Sequence, residues 1–234
     1  MPRPPKPDDL IGLLPGQVET VLSTQAPADG YHLPPAEQAV AASMKPNRRS
    51  EFIHGRACAR AALAALGFPD QAIPVGASRE PVWPKGVVGS ISHCGTVAAA
   101  TAGRCDKIGG LGIDLELAEP LDAATLNLIC RAPEQSWLRH KDDRLRFAKL
   151  IFSAKESIFK CIWPTIRHFV DFQDIGIRID INANTFAPAE WADSLPAPLI
   201  AGISGRYLLR DGWIMTTACL PRQATGSGSD SLKP

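Results

Sequence analysis

Five residues, Gly112-Ile113-Asp114-Leu115-Glu116, constrain this chain more than any other stretch when read with Phe152-Ser153-Ala154-Lys155-Glu156-Ser157-Ile158-Phe159-Lys160 further on. The first segment has the pattern of a strand. Side chains two apart on a strand share a face, so Asp114 and Glu116 project together with Ile113 and Leu115 behind them. The second has helical periodicity. Leu145, Ala148, Phe152, Phe159 and Trp163 recur at three- and four-residue spacing, and Glu156 falls on that stripe. A carboxylate on a core-facing stripe is costly unless it is paired or liganded. Three carboxylates in one cleft repel one another, and a hard dication such as Mg²⁺ relieves that repulsion while sharing its shell with phosphate oxygens.

The remainder of the composition excludes several classes. With a net charge of +1, the 234-residue chain is no general polyanion binder, so any anion site is local. Six scattered cysteines without a Cys-x-x-Cys give no zinc or dithiol motif, and they predict reduced thiols and a cytoplasmic protein. The start of the chain lacks a signal peptide's apolar core, and no run reaches membrane-spanning length.

Along the chain, residues 1–9 are proline-rich and are expected to be loose. A helix is predicted over about 48–66, with Arg48, Phe52 and Arg56 on one face and Gly67 as its stop. Strands are predicted over 87–92 and 96–102. The stretch from about 122 to 161 is mainly helical, with Pro164 ending it. Residues 175–181 alternate as a strand, and 199–209 and 213–220 flank the hairpin signal Asp211-Gly212. Residues 223–234 have flexible-linker composition. Helix plus antiparallel strands thus occurs twice, giving an α+β chain of two halves, 1–107 and 108–222, with a tail.

Four motifs in order, Trp83-Pro84-x-Gly86, Gly89-Ser90-Ile91-Ser92-His93-Cys94, Gly112-Ile113-Asp114-Leu115-Glu116 and Phe152-Ser153-Ala154-Lys155-Glu156-Ser157 with Lys160, together with Arg48-Arg49-x-Glu51-Phe52 and Gly55-Arg56-x-Cys58-Ala59-Arg60, resemble the Sfp/EntD-type 4′-phosphopantetheinyl transferases, in the subgroup of enterobactin synthase component D and actinobacterial enzymes. The resemblance covers roughly 45–165. It implies two similar α+β halves in pseudo-twofold relation with the active site between them. It also implies transfer of the phosphopantetheine arm of coenzyme A to a serine of an apo acyl or peptidyl carrier protein, with adenosine 3′,5′-bisphosphate released. A monomer serving siderophore, polyketide or nonribosomal peptide synthesis is the further implication.

By the same resemblance Asp114, Glu116 and Glu156 hold Mg²⁺, or Mn²⁺ in its place. Glu156, or a water it holds, takes the serine proton. Lys160 touches the pyrophosphate or protonates the leaving group, Lys155 touches a phosphate, His93 contacts a phosphate of coenzyme A with Ser92 beside it, and Arg48 and Arg56 face its 3′-phosphate end. Where relatives carry a loop lysine this chain has Arg79-Glu80-Pro81, so either Arg79 or Lys85 takes that part. The carrier is expected against 117–128. A Ser-His hydrolase is disfavoured because the chain has no Gly-x-Ser-x-Gly. A dinucleotide fingerprint at Gly110-x-Gly112 fails because residue 115 is leucine.

Overall fold

A computed structural model describes residues 2–28 and 31–222; the predicted tail lies outside them. After a short 3₁₀ turn (Pro7–Leu10) the chain forms β1 (Val18–Ser23), α1 (Pro35–Ala42), α2 (Pro46–Ala65), β2 (Val87–Cys94), β3 (Val97–Arg104) and β4 (Ile108–Leu117). There follow α3 (Ala123–Ile129), α4 (Ala132–Leu138), α5 (Arg144–Ile166), β5 (Ile175–Asp180), β6 (Thr185–Trp191), α6 (Ala197–Ala201), β7 (Ser204–Arg210) and β8 (Trp213–Pro221). The strands make two antiparallel sheets, β1-β3-β2 and β4-β8-β7-β6-β5. The α+β class and the duplicated helix-and-sheet plan agree with the expectation.

The duplication is topological. In the first half the order β1–α2–β2–β3 builds a sheet in which the first strand pairs with the last and the last with the middle one. In the second, β4–α5–β7–β8 does the same, with α3 and α4 added before the helix and the β5–β6 hairpin after it. Each half is pinned by a buried glutamate from the short helix before its long one. Glu37 of α1 takes Arg60 of α2 at 2.7 Å and the Ile73 N–H. Glu134 of α4 takes Lys155 of α5 at 2.9 Å and the Ile177 N–H.

β3 reads Val-Ala-Ala-Ala-Thr-Ala-Gly because both of its faces are covered. Ala98, Ala100 and Ala102 pack against Ala59, Ala62 and Leu63 of α2. Val97 and Ala99 face the second half, meeting Ile113, Leu115, Trp213 and Met215. Small residues at period two let a helix and a second sheet approach one strand from opposite sides. β4 divides in the same way: Ile113 and Leu115 enter the central core, while Gly110, Gly112, Asp114 and Glu116 face α5. A Cβ on Gly112 would lie 1.7 Å from the Ser157 carbonyl oxygen, and one on Gly110 would lie 2.1 Å from that of Cys161. The two glycines therefore let α5 lie directly on the strand. Across the seam between the sheets, Ser90 and Ser92 of β2 accept hydrogen bonds from the Ile113 and Leu115 N–H groups of β4, each at 3.1 Å.

Several expectations are corrected. Pro164 does not end the helix; α5 continues to Ile166, and Arg167 in the left-handed region (φ 52°) stops it. Pro164 lacks the N–H that would reach the Lys160 carbonyl, and the helix runs two residues beyond it all the same. The face of α5 turned fully inward carries Ala148, Ile151, Ala154, Ile158, Cys161 and Ile162. The stripe with Phe152, Glu156, Phe159 and Trp163 is half-buried instead. Within 1–9, expected to be loose, Pro5 is buried and Asp9 pairs with Arg210 at 2.7 Å; just beyond, Leu10 joins the central core and Thr217 donates to the Leu13 carbonyl. β1, α1 and β6 were not predicted, and the expected strand over 199–209 is α6 followed by β7. The hairpin at Asp211-Gly212 is present, both residues having positive φ.

Two outcomes follow. Gly112→Ala forces its methyl into the Ser157 carbonyl, and urea unfolding should report a loss of about 1–3 kcal/mol or more. His54, buried on α2 with Nε2 unpartnered, has its pKa lowered by burial. A depressed folded-state value means that the unfolded chain takes up the proton first, so stability should fall as pH drops through 6.5 and below. His54→Phe should flatten that acid limb in a pH series of thermal melts.

Candidate active site

The site forms where β4, α5, β2 and the start of α2 converge, and the register of α5 on β4 builds it. Four helical residues rise about 6 Å, nearly the span of two strand residues. Cys161, Ser157, Ser153 and Lys149, each four apart, therefore step down beside Gly110, Gly112, Asp114 and Glu116. Ser153 donates to Asp114 Oδ2 at 2.8 Å, and Lys149 reaches Glu116 Oε2 at 2.7 Å. Lys160 brings its Nζ to Asp114 Oδ1 at 2.7 Å and to the Ile113 carbonyl at 3.1 Å. Ser92 also donates to Asp114 Oδ1, at 3.1 Å.

Glu156 lies on the same helical face between these lysines. Its carboxylate is half-buried and has neither ion pair nor hydrogen bond with the described residues, since Lys160 turns to Asp114. Burial raises its pKa; Lys160 opposes that rise, and Asp114 and Glu116 add to it. Glu116 is likewise raised by burial, with its Lys149 hydrogen bond as the chief counterweight. The rings of Phe152 and Phe159 flank Glu156 one turn on either side, and Phe172 closes over both with ring centroids 5.6 and 5.3 Å away.

The carboxylate trio is thus in one neighbourhood, with a lysine set against each of the two strand members. Among the described residues, no three His, Cys, Asp or Glu side chains are gathered closely enough to hold a metal ion. The predicted convergence is corrected to that extent: Asp114 and Glu116 are neutralised by ammonium groups. The donor set itself, three hard oxygen donors with raised or compensated charge, is of the kind that Mg²⁺ takes.

His93, at the end of β2, contacts Arg48 of α2 through Nε2, and its Nδ1 is 3.7 Å from Glu51. A guanidinium can only donate, so in this contact Nε2 is the acceptor. Burial first, then Arg48, lowers its pKa. A cationic His93 does not suit this resting arrangement. Arg48 itself is half-exposed at the rim.

A cleft of about 350 Å³ opens beside Lys160 between the halves, walled by Arg79, Pro81, Trp83, Gly89, Ile91, Phe159 and Trp163 among others. Arg79, held at φ 70° in the turn Gly76–Glu80, lines it. Lys85 is exposed and lies outside the wall, so Arg79 is the better placed of the two. Two expected phosphate ligands are engaged elsewhere. Arg56 is buried over the Phe52 ring, its Nε bonded to the Ile73 carbonyl, and desolvation lowers its pKa to about 10. Lys155 is fully buried, and its ammonium protons go to Glu134 and to the Ile129 and Phe172 carbonyls at 2.7–2.9 Å. It faces about 100° away from Glu156 on the helix, toward the core.

Sequence reasoning missed Lys149, Ser153 and Ser90 as contributors to the site. Lys149 had a signal: it stands seven residues before Glu156 and eleven before Lys160, on one helical face. Ser90 and Ser153 are motif residues whose partners only the fold supplies.

Carboxylates, lysines and arginines gathered at a cleft between two antiparallel α+β halves define a site for handling phosphates. A family model described as the 4′-phosphopantetheinyl transferase N-terminal domain matches residues 36–103, and one described as the 4′-phosphopantetheinyl transferase superfamily matches 110–201. The chain is 34% identical to 4′-phosphopantetheinyl transferase Npt of Nocardia iowensis, over 87% of this chain and 96% of that one. It is 31% identical to PptT of Mycobacterium tuberculosis, over 86% and 94%. Against enterobactin synthase component D of Escherichia coli the identity is 39% over 55% and 62%. Holo-[acyl-carrier-protein] synthase from Neisseria meningitidis aligns with half of this chain and 99% of its own at TM-score 0.41 and 18% identity. The chain belongs to the 4′-phosphopantetheinyl transferase superfamily, and its class of enzyme is phosphopantetheinyl transferase.

Lys155→Met leaves Glu134 buried and unpaired, so denaturant unfolding should report a loss of about 3–5 kcal/mol. Coenzyme A affinity of the folded variant should be unchanged by calorimetric titration. Wild-type stability with lost affinity would return Lys155 to the phosphates.

Proposed function

We propose that this enzyme moves the 4′-phosphopantetheine group of coenzyme A to a serine of an apo acyl or peptidyl carrier protein, with Mg²⁺ held by Asp114, Glu116 and Glu156, and releases adenosine 3′,5′-bisphosphate. The observation that carries the proposal is an unpartnered, half-buried Glu156 one turn before Lys160 on α5, with Lys160 lining a cleft between the two halves. The named relatives support the acceptor class, and the component D relatives favour a siderophore or a related assembly line. The two halves need no partner copy to complete the cleft, in keeping with a monomer.

The step exchanges one phosphorus–oxygen bond for another. The serine oxygen attacks the phosphorus bearing the pantetheine arm, the bond to the nucleotide phosphate breaks, and the serine proton passes to Glu156 or to a water it holds. Such chemistry depends on positioning and charge neutralisation more than on covalent help. A bound Mg²⁺ supplies Lewis-acid stabilisation of the diphosphate. Lys160 at the cleft wall donates to the departing phosphate oxygen. Arg79 and the Arg48–His93 pair offer N–H donors to the nucleotide end, and Trp83, Phe159 and Trp163 give the arm an apolar wall that excludes water. Phe172, resting on Phe152 and Phe159, fixes the surroundings of Glu156. The acceptor meets the second half beside α3, where Leu128 is 71% exposed within the predicted 117–128 stretch.

Mass spectrometry of an apo carrier incubated with enzyme, coenzyme A and Mg²⁺ should show one added phosphopantetheine group, and no addition with chelator. Failure across fatty-acid, polyketide and peptide-synthetase carriers refutes the assignment. Glu156→Gln should bind coenzyme A nearly as wild type and lose transfer by about 10²–10⁴-fold; a turnover number near wild type removes Glu156 from the chemistry.

A further inference from the structure

Lys160 occupies the place where a dication would meet Asp114. Its Nζ lies 2.7 Å from Asp114 Oδ1, 3.1 Å from the Ile113 carbonyl and 3.5 Å from Ser92 Oγ. An ammonium in a cage of three oxygens does for Asp114 what a metal ion does. The two cannot occupy that oxygen together, because charges of the same sign at contact distance in a half-buried site repel by many times the thermal energy. A metal ion can reach Asp114 only after Lys160 has moved.

Lys160 has somewhere to go. Its side chain retains 29% exposure and lines the cleft between the halves. Lys149, the other lysine facing the carboxylates, is differently placed. It is 16% exposed, rests on the Phe152 ring 4.7 Å from the centroid, holds only Glu116, and does not line the cleft. One lysine is thus built as a fixture and the other as an exchangeable counter-ion.

We propose that Lys160 is a resident cation that leaves Asp114 for the diphosphate of the co-substrate, so that metal and coenzyme A bind as a coupled pair. The inference rests on the site reading above and adds a linkage to it. Coenzyme A removes the ammonium from Asp114 and opens that carboxylate to the metal; by reciprocity, metal on Asp114 frees the ammonium for the diphosphate. Metal alone meets an occupied ligand and binds weakly. The coupling is a property of the lysine, over and above the oxygens the diphosphate itself contributes.

The test counts free and bound Mn²⁺ by electron paramagnetic resonance, with no acceptor present and hence no turnover, in wild type and in Lys160→Met, each with and without coenzyme A. Mn²⁺ alone should bind Lys160→Met more tightly than wild type. The factor by which coenzyme A raises Mn²⁺ affinity, about 5–150-fold in wild type on the usual scale of such couplings, should shrink several-fold in the variant. If the lysine only repels metal from a fixed position, its removal tightens Mn²⁺ equally with and without coenzyme A, and an unchanged factor overturns the proposal. Should Lys160→Met fail to fold, lysine-labelled wild type gives the answer. The Lys160 ammonium resonance should shift on addition of Mg²⁺ with coenzyme A and stay in place with Mg²⁺ alone; a resonance that never shifts overturns the exchange. Carrier loading by wild type, run in parallel, separates the two readings: absent loading with intact coupling removes the proposed acceptor, while intact loading with an unchanged factor leaves the transferase standing and strips Lys160 of the exchange.

Discussion

The contact of α5 with β4 fixes everything else. Two glycines allow the helix backbone to touch the strand, and the near-equality of four helical rises and two strand rises carries the match along both elements. Once Ser157 sits on Gly112, the positions of Ser153, Glu156, Lys149 and Lys160 relative to Asp114 and Glu116 are determined. A single larger residue at 112 would lift the helix and draw Glu156 away from Asp114 and Glu116. The seam between the sheets depends on the same strand, because Ser90 and Ser92 reach the opposite edge of β4.

Electrostatics then settles how such a site exists without ligands. Asp114, Glu116 and Glu156 in one half-buried region are unfavourable as three unbalanced charges. The fold answers with lysines from the helix that supplies Glu156. Asp114 is satisfied by an ammonium and two hydroxyls, Glu116 by an ammonium, and Glu156 is half-buried without a partner among the described residues, its pKa raised by burial. On the other rim Arg48 meets His93 Nε2, and burial first, then Arg48, lowers the His93 pKa. Charge is balanced in place.

Much of this was legible in the sequence where a motif and a periodicity agreed. Asp114 and Glu116 on one face of a strand, Glu156 and Lys160 one turn apart and the hairpin at Asp211-Gly212 could all be read directly, while the two-halved α+β plan rested partly on the family resemblance. Lys155 could not be placed, because adjacency in a motif conceals the 100° turn that sends it into the core to meet Glu134. Arg56 shared a predicted face with Arg48, yet Ile73 and Phe52 enclose it. Pro164 misled because a proline inside a helix removes one hydrogen bond without having to end the helix, and α5 continues to Ile166. Gly110-x-Gly112 carried a different message from the one sought in it: a close backbone approach, not a nucleotide loop.

The two halves repeat one construction and use it differently. Each long helix is tied by a buried cation to a glutamate on the helix before it, and each glutamate also caps an N–H of the segment after it. Arg60 and Lys155 do corresponding work, so the residue at 155 is explained by the duplication with no ligand invoked. The equivalent of β4 in the first half is β1, whose Thr20 meets Thr101 and whose strand brings no paired acids to a helix. All three carboxylates come from the second half, while the first contributes Arg48, Arg79, Ser92 and His93 across the seam. The cleft between the unlike copies takes Arg79 from the first half and Lys160 from the second, so cations from both halves face one space.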